Sequence, residues 1–165
     1  MTVKQTLKGI AVAILENLPA TNQPDTSAAR DRNVKTVQRF FEYFQRDRER
    51  FFALWAPNPT VELPFAPPGL AKRYATASEF AAFWDPIFLS FKGKFDWIPM
   101  EMIVGENPDK IVTVMKSDID LQTPSGPLKH QGDYIQVFTL TEGKIVRFVE
   151  YVDSWFMRGF SDFEE

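Results

Sequence analysis

The sequence contains no cysteine and only one histidine, His130. The absence of cysteine excludes disulfide bonds, cysteine–metal sites and thiol nucleophiles. A zinc site needs at least three side-chain ligands, and one histidine without cysteine supplies little material for it. Composition leaves room for a carboxylate-only metal site, but no spacing in the sequence suggests one, so we expect no metal.

Long hydrophobic runs and an excess of positive charge are absent as well. The longest apolar run, residues 9–15, is far too short to cross a bilayer, which takes about 20 residues. The net charge is −3 and no basic face stands out, which argues against a nucleic-acid partner. We expect a cytoplasmic protein that binds neither a membrane nor nucleic acid.

Aromatic residues, in contrast, are abundant: they make up 15% of the sequence and include 16 phenylalanines. Aromatic side chains fill cores, and they also line ligand pockets and interfaces. The length of 165 residues fits one domain of ordinary size. Core packing is the commoner reason for such a set, but its unusual size also favours an apolar pocket.

The N-terminal segment carries two lysines and then apolar residues, so a signal peptide has to be weighed against a helix. The apolar run is short, and residues 18–20 form a poor cleavage site. We favour an amphipathic helix. Its apolar stripe comprises Val3, Leu7, Ile10, Ile14 and Leu18. Residues 1–32 are then an N-terminal helix with a linker, and residues 33–165 are the main domain.

Helical periodicity marks the first half of the main domain. From about Asn33, apolar residues that include Phe41 recur in steps of three, four or seven, and Asp47 is a candidate cap of a short second helix. The Pro-rich stretch 56–70 surrounds an extended piece at residues 60–65, which suits a sheet edge. Residues 76–79 have the pattern of a capping box and open a third helix with aromatic side chains on one side.

After Gly93 the hydrophobic period changes to two, which is typical of strands. The four expected strands are residues 95–104, 111–121, 128–140 and 144–156. Short polar turns between them favour antiparallel neighbours. Helices followed by a run of strands indicate an α+β fold. A curved sheet wrapped on about three helices leaves a cone with an open mouth, and this shape provides a pocket.

The order of these elements resembles a known superfamily. Residues 134–145 contain Tyr-Ile-x-x-Phe-x-Leu and then Gly-Lys-Ile, with Glu150 and Tyr151 behind them, and residues 62–65 read Glu-Leu-Pro-Phe. These motifs resemble the nuclear transport factor 2-like superfamily, which includes ketosteroid isomerases and SnoaL-like polyketide cyclases. They are most similar to phenazine-biosynthesis A/B-type proteins. The similarity covers roughly residues 33–158 and implies a cystatin-like cone.

The resemblance implies cofactor-free acid–base chemistry, or plain binding, on an apolar small molecule. A glutamate on the last strand is the acid–base residue of phenazine A/B-type proteins, and Glu150 occupies the matching place. Their second functional residue is a histidine near the start of the pocket helix, and residues 74–78 contain none. Isomerase and cyclase members use Asp or Tyr groups, for which Tyr43 and Asp120 are candidates. Superfamily relatives often pair through the open sheet face, which implies a homodimer.

Glu150 is also the main catalytic candidate on the residues alone. In a regular strand it shares a face with Phe148 and Val152, which destabilises its charged form and should raise its pKa. Such a glutamate acts as a general acid or base near neutral pH. Two alternatives stay open: an ion pair with Arg147 or Arg158, or a place at a dimer seam.

Three further residues are candidates for helping Glu150. His130, whose ordinary pKa lies near neutrality, shares its strand face with Tyr134 and Gln136, as a pocket wall or as a solvated residue after a turn. Asp133 points either into the cone or outside, and Tyr43 is a possible hydrogen-bond donor. The expected pocket lining comprises Phe65, Tyr74, Trp84, Phe88, Tyr134, Gln136 and Phe148.

These features predict a pocket that accepts a small apolar or aromatic metabolite bearing a carbonyl group. Glu150 would transfer a proton during isomerisation, cyclisation or condensation. One alternative is a binding protein that holds such a molecule without turnover. The other is a dimeric interaction module, with contacts from the N-terminal apolar stripe and residues 155–156. A homodimer is compatible with all three, since two-fold pairing is the commonest assembly.

Overall fold

The computed structural model describes residues 27–66, 68–89, 92–123 and 126–152. In chain order its elements are α1 (Ser27–Tyr43), α2 (Arg48–Ala53), β1 (Trp55–Glu62), β2 (Arg73–Tyr74), α3 (Ala77–Leu89), β3 (Lys92–Val104), β4 (Lys110–Thr123), β5 (Gly126–Thr141) and β6 (Lys144–Tyr151). The strands form one sheet in the order β2-β1-β6-β5-β4-β3. The predicted N-terminal helix and residues 153–156 lie outside the described residues.

Neighbouring strands are antiparallel throughout this sheet, except that β1 and β6 run parallel. The prediction of an α+β fold with a curved, mostly antiparallel sheet on about three helices is confirmed. None of the helices in the described ranges is long and apolar enough to span a membrane.

Helix α1 begins at Ser27, so the end of the predicted linker is helical and the predicted start at Asn33 was too late. The reason lies far away in the sequence. The two terminal nitrogens of Arg30 donate hydrogen bonds to the carbonyl oxygens of Val104 and Gly105, at 3.1 and 2.8 Å. These contacts hold the first turns of α1 against the connection between β3 and β4. Because they join residues that are distant in sequence, the local sequence pattern does not predict them.

The two predicted helix starts are confirmed. Asp47 is the N-cap of α2, and its side chain accepts a hydrogen bond of 3.0 Å from the backbone nitrogen of Arg50. Thr76 and Glu79 form a reciprocal capping box, in which the Glu79 N–H donates to Thr76 Oγ1 at 3.2 Å and the Thr76 N–H donates to Glu79 Oε2 at 3.0 Å.

Strand β1 starts earlier than the predicted residues 60–65, because it includes Pro57 and Pro59. The short strand β2, which the sequence did not predict, pairs only with Val61 and Glu62. The earlier part of β1 therefore has no neighbour on that side within the described sheet. Proline, which cannot donate a ladder hydrogen bond, is tolerated at such an edge.

The helices pack on one face of the sheet, and Phe40 of α1 lies at the centre of the resulting aromatic core. Its ring centroid is 5.0 Å from those of Phe51 and Phe138 and 5.5 Å from that of Phe148. The sequence pattern placed Phe41 on the buried stripe, whereas Phe40 is fully buried and Phe41 is half-buried. Adjacent phenylalanines fit a helical period equally well, so tertiary packing decides between them.

Alternation along β4 and β5 defines the two faces of the sheet. The inner face, toward the helices, carries the buried side chains of both strands. These are Ile111, Thr113, Met115, Ser117 and Ile119 on β4 and Tyr134, Gln136, Phe138 and Leu140 on β5. The outer face carries charged side chains. Lys94 is paired with Asp118 and Lys129 with Asp120, which places Asp120 away from the interior.

Candidate active site

Glu150 is buried on the inner face of β6, with only 6% of its surface exposed. Its register partner on β5 is Gln136, and the next inner-face pair along the two strands is Phe148 with Phe138. The predicted position of Glu150 on an apolar strand face is therefore what the structure shows. Glu150 is the only Asp, Glu, Lys or Arg among the buried residues of the described ranges.

A chain of three buried polar side chains crosses the sheet at this level. Gln136 Nε2 donates a hydrogen bond of 2.6 Å to Glu150 Oε2. Thr113 of β4, the register partner of Gln136, donates through its hydroxyl to Gln136 Oε1 at 3.4 Å. Both ends of the Gln136 amide are thus engaged, and the direction of the chain fixes which end faces the carboxyl group.

The surroundings favour the neutral form of Glu150. Burial raises its pKa to about 7, while the hydrogen bond from Gln136 acts in the opposite direction. The predicted alternative of an ion pair with Arg147 is wrong, because Arg147 donates two hydrogen bonds, of 2.9 and 2.7 Å, to the carboxylate of Glu62. The other proposed partner, Arg158, lies outside the described residues.

His130 and Tyr134 continue the inner face of β5 beyond Gln136. The two rings are 6.4 Å apart between centroids, and the His130 ring lies over Gly132, where an added Cβ would be 2.3 Å from His130 Nε2. At about 3.3 Å per residue, His130 is about 20 Å along the strand from Gln136. His130 and Glu150 therefore share a face but lie at different levels, with Tyr134 between them.

A second polar spot lies between these levels. Ser117 of β4 pairs with Gly132 on one side and Trp97 of β3 on the other. The hydroxyl of Ser117 and the Nε1 of Trp97 are buried and have no hydrogen-bond partner in the described part of the chain. The indole nitrogen of the fully buried Trp84 is in the same state, and its ring centroid lies 6.2 Å from that of Trp97. All three groups can donate a hydrogen bond, and none of them finds an acceptor in the ranges that the structure covers.

Two predicted helpers lie elsewhere. Asp133 is exposed on the outer face opposite Lys116, because the residue after it, Tyr134, occupies the inner face. Asp133 lines a shallow outer depression of about 290 Å³ instead. Tyr43 ends α1, and its ring centroid lies 5.8 Å from the guanidinium carbon of Arg50. The structure brings neither residue to Glu150.

The predicted lining residues separate into three groups. Gln136, Tyr134, Phe148 and Trp84 are buried inside the cone, the first two on the polar row and the last two within the aromatic core. Tyr74 and Phe88 are half-buried, and Tyr74 packs on Phe83 at 4.8 Å between centroids. Phe65 is 58% exposed and contacts Tyr151, so it does not line the interior.

Sequence reasoning did not select Thr113 or Ser117 for the site. Thr113 and Ser117 alternate with Val112, Val114 and Lys116, so period-two reading alone assigns them to one face. A polar residue on an otherwise apolar strand face was the available signal. No group of three or more His, Asp or Glu side chains that could hold a metal ion occurs among the described residues.

Comparison with known proteins gives similarity in fold. No protein-family model matches the sequence, and no curated protein matches it. Among solved structures, a phenazine biosynthesis-related protein from Pseudomonas aeruginosa has a TM-score of 0.69 at 17% identity, over 86% of this chain and 88% of that one. A SnoaL-like protein of the polyketide-cyclase type from Jannaschia sp. CCS1 has a TM-score of 0.67 at 16% identity, over 87% of this chain and 100% of that one.

A nuclear transport factor 2-like protein from Burkholderia pseudomallei is similar in the same way, with a TM-score of 0.64 and 21% identity. The similarity covers 80% of this chain and 98% of that one. At these identities the comparison establishes the fold and no activity. The protein thus has the cone-shaped fold of the nuclear transport factor 2-like superfamily, as its sequence motifs predicted.

Proposed function

We propose that the protein is a cofactor-independent acid–base enzyme in which Glu150 moves a proton on a carbonyl-bearing apolar or aromatic metabolite. The proposal is supported by the buried carboxyl group of Glu150, which has no ion-pair partner among the described residues and whose pKa is raised by burial to about 7. At neutral pH the acid and the carboxylate are then both populated. A group in this condition accepts a proton and returns it with little free-energy cost.

The reaction begins at a carbon next to a carbonyl group. The Glu150 carboxylate takes a proton from this carbon, the electron pair of the broken C–H bond forms a carbon–carbon double bond, and the carbonyl π pair moves to the oxygen. Where the substrate has a further carbon–carbon double bond conjugated with the new one, return of the proton to the far carbon of this conjugated system completes an isomerisation. In a cyclisation the enolate carbon attacks a second carbonyl carbon of the same molecule, the π pair of that carbonyl moves to its oxygen, and Glu150 returns the proton to this oxygen. Neither outcome needs an oxidant or a reductant.

Tyr134 is the candidate donor to the developing enolate oxygen. It is the next inner-face residue after Gln136 on β5, and it is 2% exposed. A hydrogen-bond donor held in a water-poor site stabilises negative charge more strongly than it does in water. In this arrangement Glu150 transfers the proton, and Tyr134 donates a hydrogen bond to the enolate oxygen.

The chemistry of the interior indicates the substrate class. No lysine or arginine is found among the fully buried residues of the described ranges, so a charged carboxylate or phosphate ligand would meet no buried cation there. The buried donors of Ser117 and Trp97 have no acceptor within the described residues and suit a ligand that brings a carbonyl or ether oxygen. The similarity in fold to polyketide-cyclase-type and phenazine biosynthesis-related proteins supports an aromatic or polycyclic metabolite.

Deuterium exchange tests the proposed chemistry without knowledge of the natural substrate. Ketones with acidic neighbouring C–H groups, such as β-tetralone and progesterone, are incubated with the protein in D₂O, and proton NMR follows loss of the C–H signal. We expect wild-type protein to accelerate exchange and Glu150→Gln to abolish the acceleration. The matched control is Glu62→Gln, a substitution on the outer face that should leave exchange unchanged. Equal acceleration by Glu150→Gln would falsify the assignment.

A second candidate function, self-association, is favoured by the outer face. Ile135 and Tyr151 are register partners on β5 and β6 and are 46% and 37% exposed, and Ile103 of β3 is 45% exposed. Several exposed apolar side chains on one face of a sheet are typical of protein interfaces. We propose that two copies pair through this face. The pairing is compatible with catalysis inside the cone.

Light scattering after size exclusion tests this pairing. Ile135→Lys should convert a dimer into a monomer at micromolar concentration, because it places a charge beside the exposed ring of Tyr151 on this apolar face. Gln131→Lys changes the same strand and the same face within the charged half, and it should leave the mass unchanged. A wild-type protein that is monomeric at these concentrations excludes the dimer.

A further inference from the structure

The amide of Gln136 has little capacity left for a substrate. Its oxygen accepts from Thr113 at 3.4 Å, and one of its two N–H groups donates to Glu150 Oε2 at 2.6 Å. The side chain is 0% exposed. Only one N–H and one oxygen lone pair remain. A residue of this kind acts on its neighbour more directly than on a ligand.

We infer that Gln136 is a positioning residue, which holds the Glu150 carboxyl group in one orientation and directs proton transfer to its Oε1 atom. Thr113 contributes by fixing the amide so that its nitrogen faces Glu150. The inference deepens the proposed function and rests on it, because the proton that Oε1 carries is taken to be that of the substrate. It replaces the sequence-based expectation that Gln136 contacts the substrate.

The geometry distinguishes the two carboxyl oxygens. Oε2 receives the Gln136 N–H, whereas Oε1 receives no hydrogen bond from the residues that the structure describes. An oxygen that already accepts a hydrogen bond is the poorer base, since protonation there competes with the bond. Oε1 therefore takes up the proton, and Oε2 keeps the group in place in both protonation states.

Among the polar groups around Glu150, Gln136 is the one that affects its pKa. On β6, Arg147 points to the outer face and is paired with Glu62. On β5, the titratable inner-face neighbour is the phenol of Tyr134. No charged side chain on the described parts of α1, α2, α3, β1 or β2 contributes to the Glu150 pKa, for which burial and Gln136 are the two causes. Loss of Gln136 should therefore raise this pKa further.

The experiment follows the titration of Glu150 directly. Protein labelled with ¹³C at the glutamate carboxyl carbons is titrated by NMR, and Glu150→Gln assigns the signal by its loss. In Gln136→Met, which keeps the chain length and removes the hydrogen bond, the midpoint should rise by about one unit. Thr113→Val should raise it less, and Thr113→Ser, which retains the hydroxyl, should leave it at the wild-type value.

The exchange rate of β-tetralone supplies the second readout. A rise of one unit lowers the carboxylate fraction at pH 7 about five-fold, so exchange by Gln136→Met should fall about five-fold at pH 7 and recover at pH 9. A defect in folding alone would persist at both pH values. If Gln136→Met does not fold, the titration is done with Thr113→Val, because valine has the same shape as threonine.

The two proposals fail in different ways. An unchanged Glu150 midpoint in a folded Gln136→Met variant overturns the positioning role, even where the wild-type protein catalyses exchange. A raised Glu150 midpoint in Gln136→Met supports the positioning role. If the wild-type protein nevertheless accelerates deuterium exchange of none of the ketone probes, the proposed enzyme function is wrong, although the hydrogen bond from Gln136 still affects the titration of Glu150.

Discussion

Arg147 and Glu150 lie three positions apart on β6, and their side chains leave the strand on opposite faces of the sheet. Arg147 is held outside by the carboxylate of Glu62, at 2.7 and 2.9 Å. Glu150 is left inside with an amide as its only side-chain hydrogen-bond partner in the described ranges. An ion pair would have kept Glu150 charged at all physiological pH values. Its separation from Arg147 is what allows it to titrate near neutrality.

The first prediction concerns stability against pH. The folded protein keeps the Glu150 proton up to about pH 7, whereas the unfolded chain releases it near 4.5. Between these values the folded state binds more protons, so the free energy of unfolding falls as the pH rises, by about 3 kcal/mol in all. Urea unfolding at pH 5 and pH 8 measures this fall. Glu150→Gln should remove it.

Glu62→Gln is the control for this prediction. The hydrogen bond with Arg147 lowers the pKa of Glu62, so that group titrates below pH 5 and contributes stability that is lost as the pH falls further. The variant should therefore keep the wild-type fall between pH 5 and pH 8. A Glu150→Gln variant with that same fall would assign the pH dependence to another group.

The second prediction concerns Gly132, which makes room for the ring of His130. An alanine Cβ there would be 2.3 Å from His130 Nε2. Because the atom in the way is the far end of a side chain, we expect the ring to move and the free energy of unfolding to change by no more than about 1 kcal/mol. The ring signals of His130 in nitrogen-15 spectra should shift clearly.

A double-mutant cycle isolates this contact. In a His130→Ala background, Gly132→Ala should leave the free energy of unfolding unchanged. The effects of the two substitutions on this free energy should therefore be non-additive. Gly105→Ala is the matched control, since an added Cβ there meets nothing within 4 Å. Additive effects of the two substitutions would show that the ring does not lie over Gly132 in solution.

Local patterns predicted the helix caps, the alternation of the strands and the inner-face row of His130, Tyr134 and Gln136, because each depends on neighbours in sequence. They did not decide between Phe40 and Phe41, since both satisfy the helical period and the choice depends on rings of α2, β5 and β6. They placed Asp133 on the opposite face from its neighbour Tyr134, but they left open which of the two faces points into the cone. A one-residue difference in register reverses every side chain of a strand.

In the candidate site, too, some features follow from the local sequence and others depend on strand pairing. The rise in the Glu150 pKa followed from an apolar strand face and was predictable, whereas its hydrogen bond to Gln136 depends on the pairing of β5 with β6. Thr113 joins this chain through a third strand, β4. Contacts across three strands have no signature within one stretch of sequence, and this is why the site was predicted as separate residues.

The third prediction concerns the hydroxyl of Ser117, which is buried without a partner in the described part of the protein. Removal of an unsatisfied buried polar group relieves its desolvation cost, so Ser117→Ala should stabilise the protein by about 1 kcal/mol in urea unfolding. Thr113→Val removes a hydroxyl of the same strand and face that does donate a hydrogen bond, and it should lower the free energy of unfolding by about 1 kcal/mol.

If the Ser117 hydroxyl binds a ligand oxygen, Ser117→Ala should also weaken the binding of a ketone probe such as progesterone, while the titration of Glu150 stays unchanged. A loss of stability in Ser117→Ala would mean that the hydroxyl already has a partner, such as a buried water molecule, and that it is not reserved for a ligand.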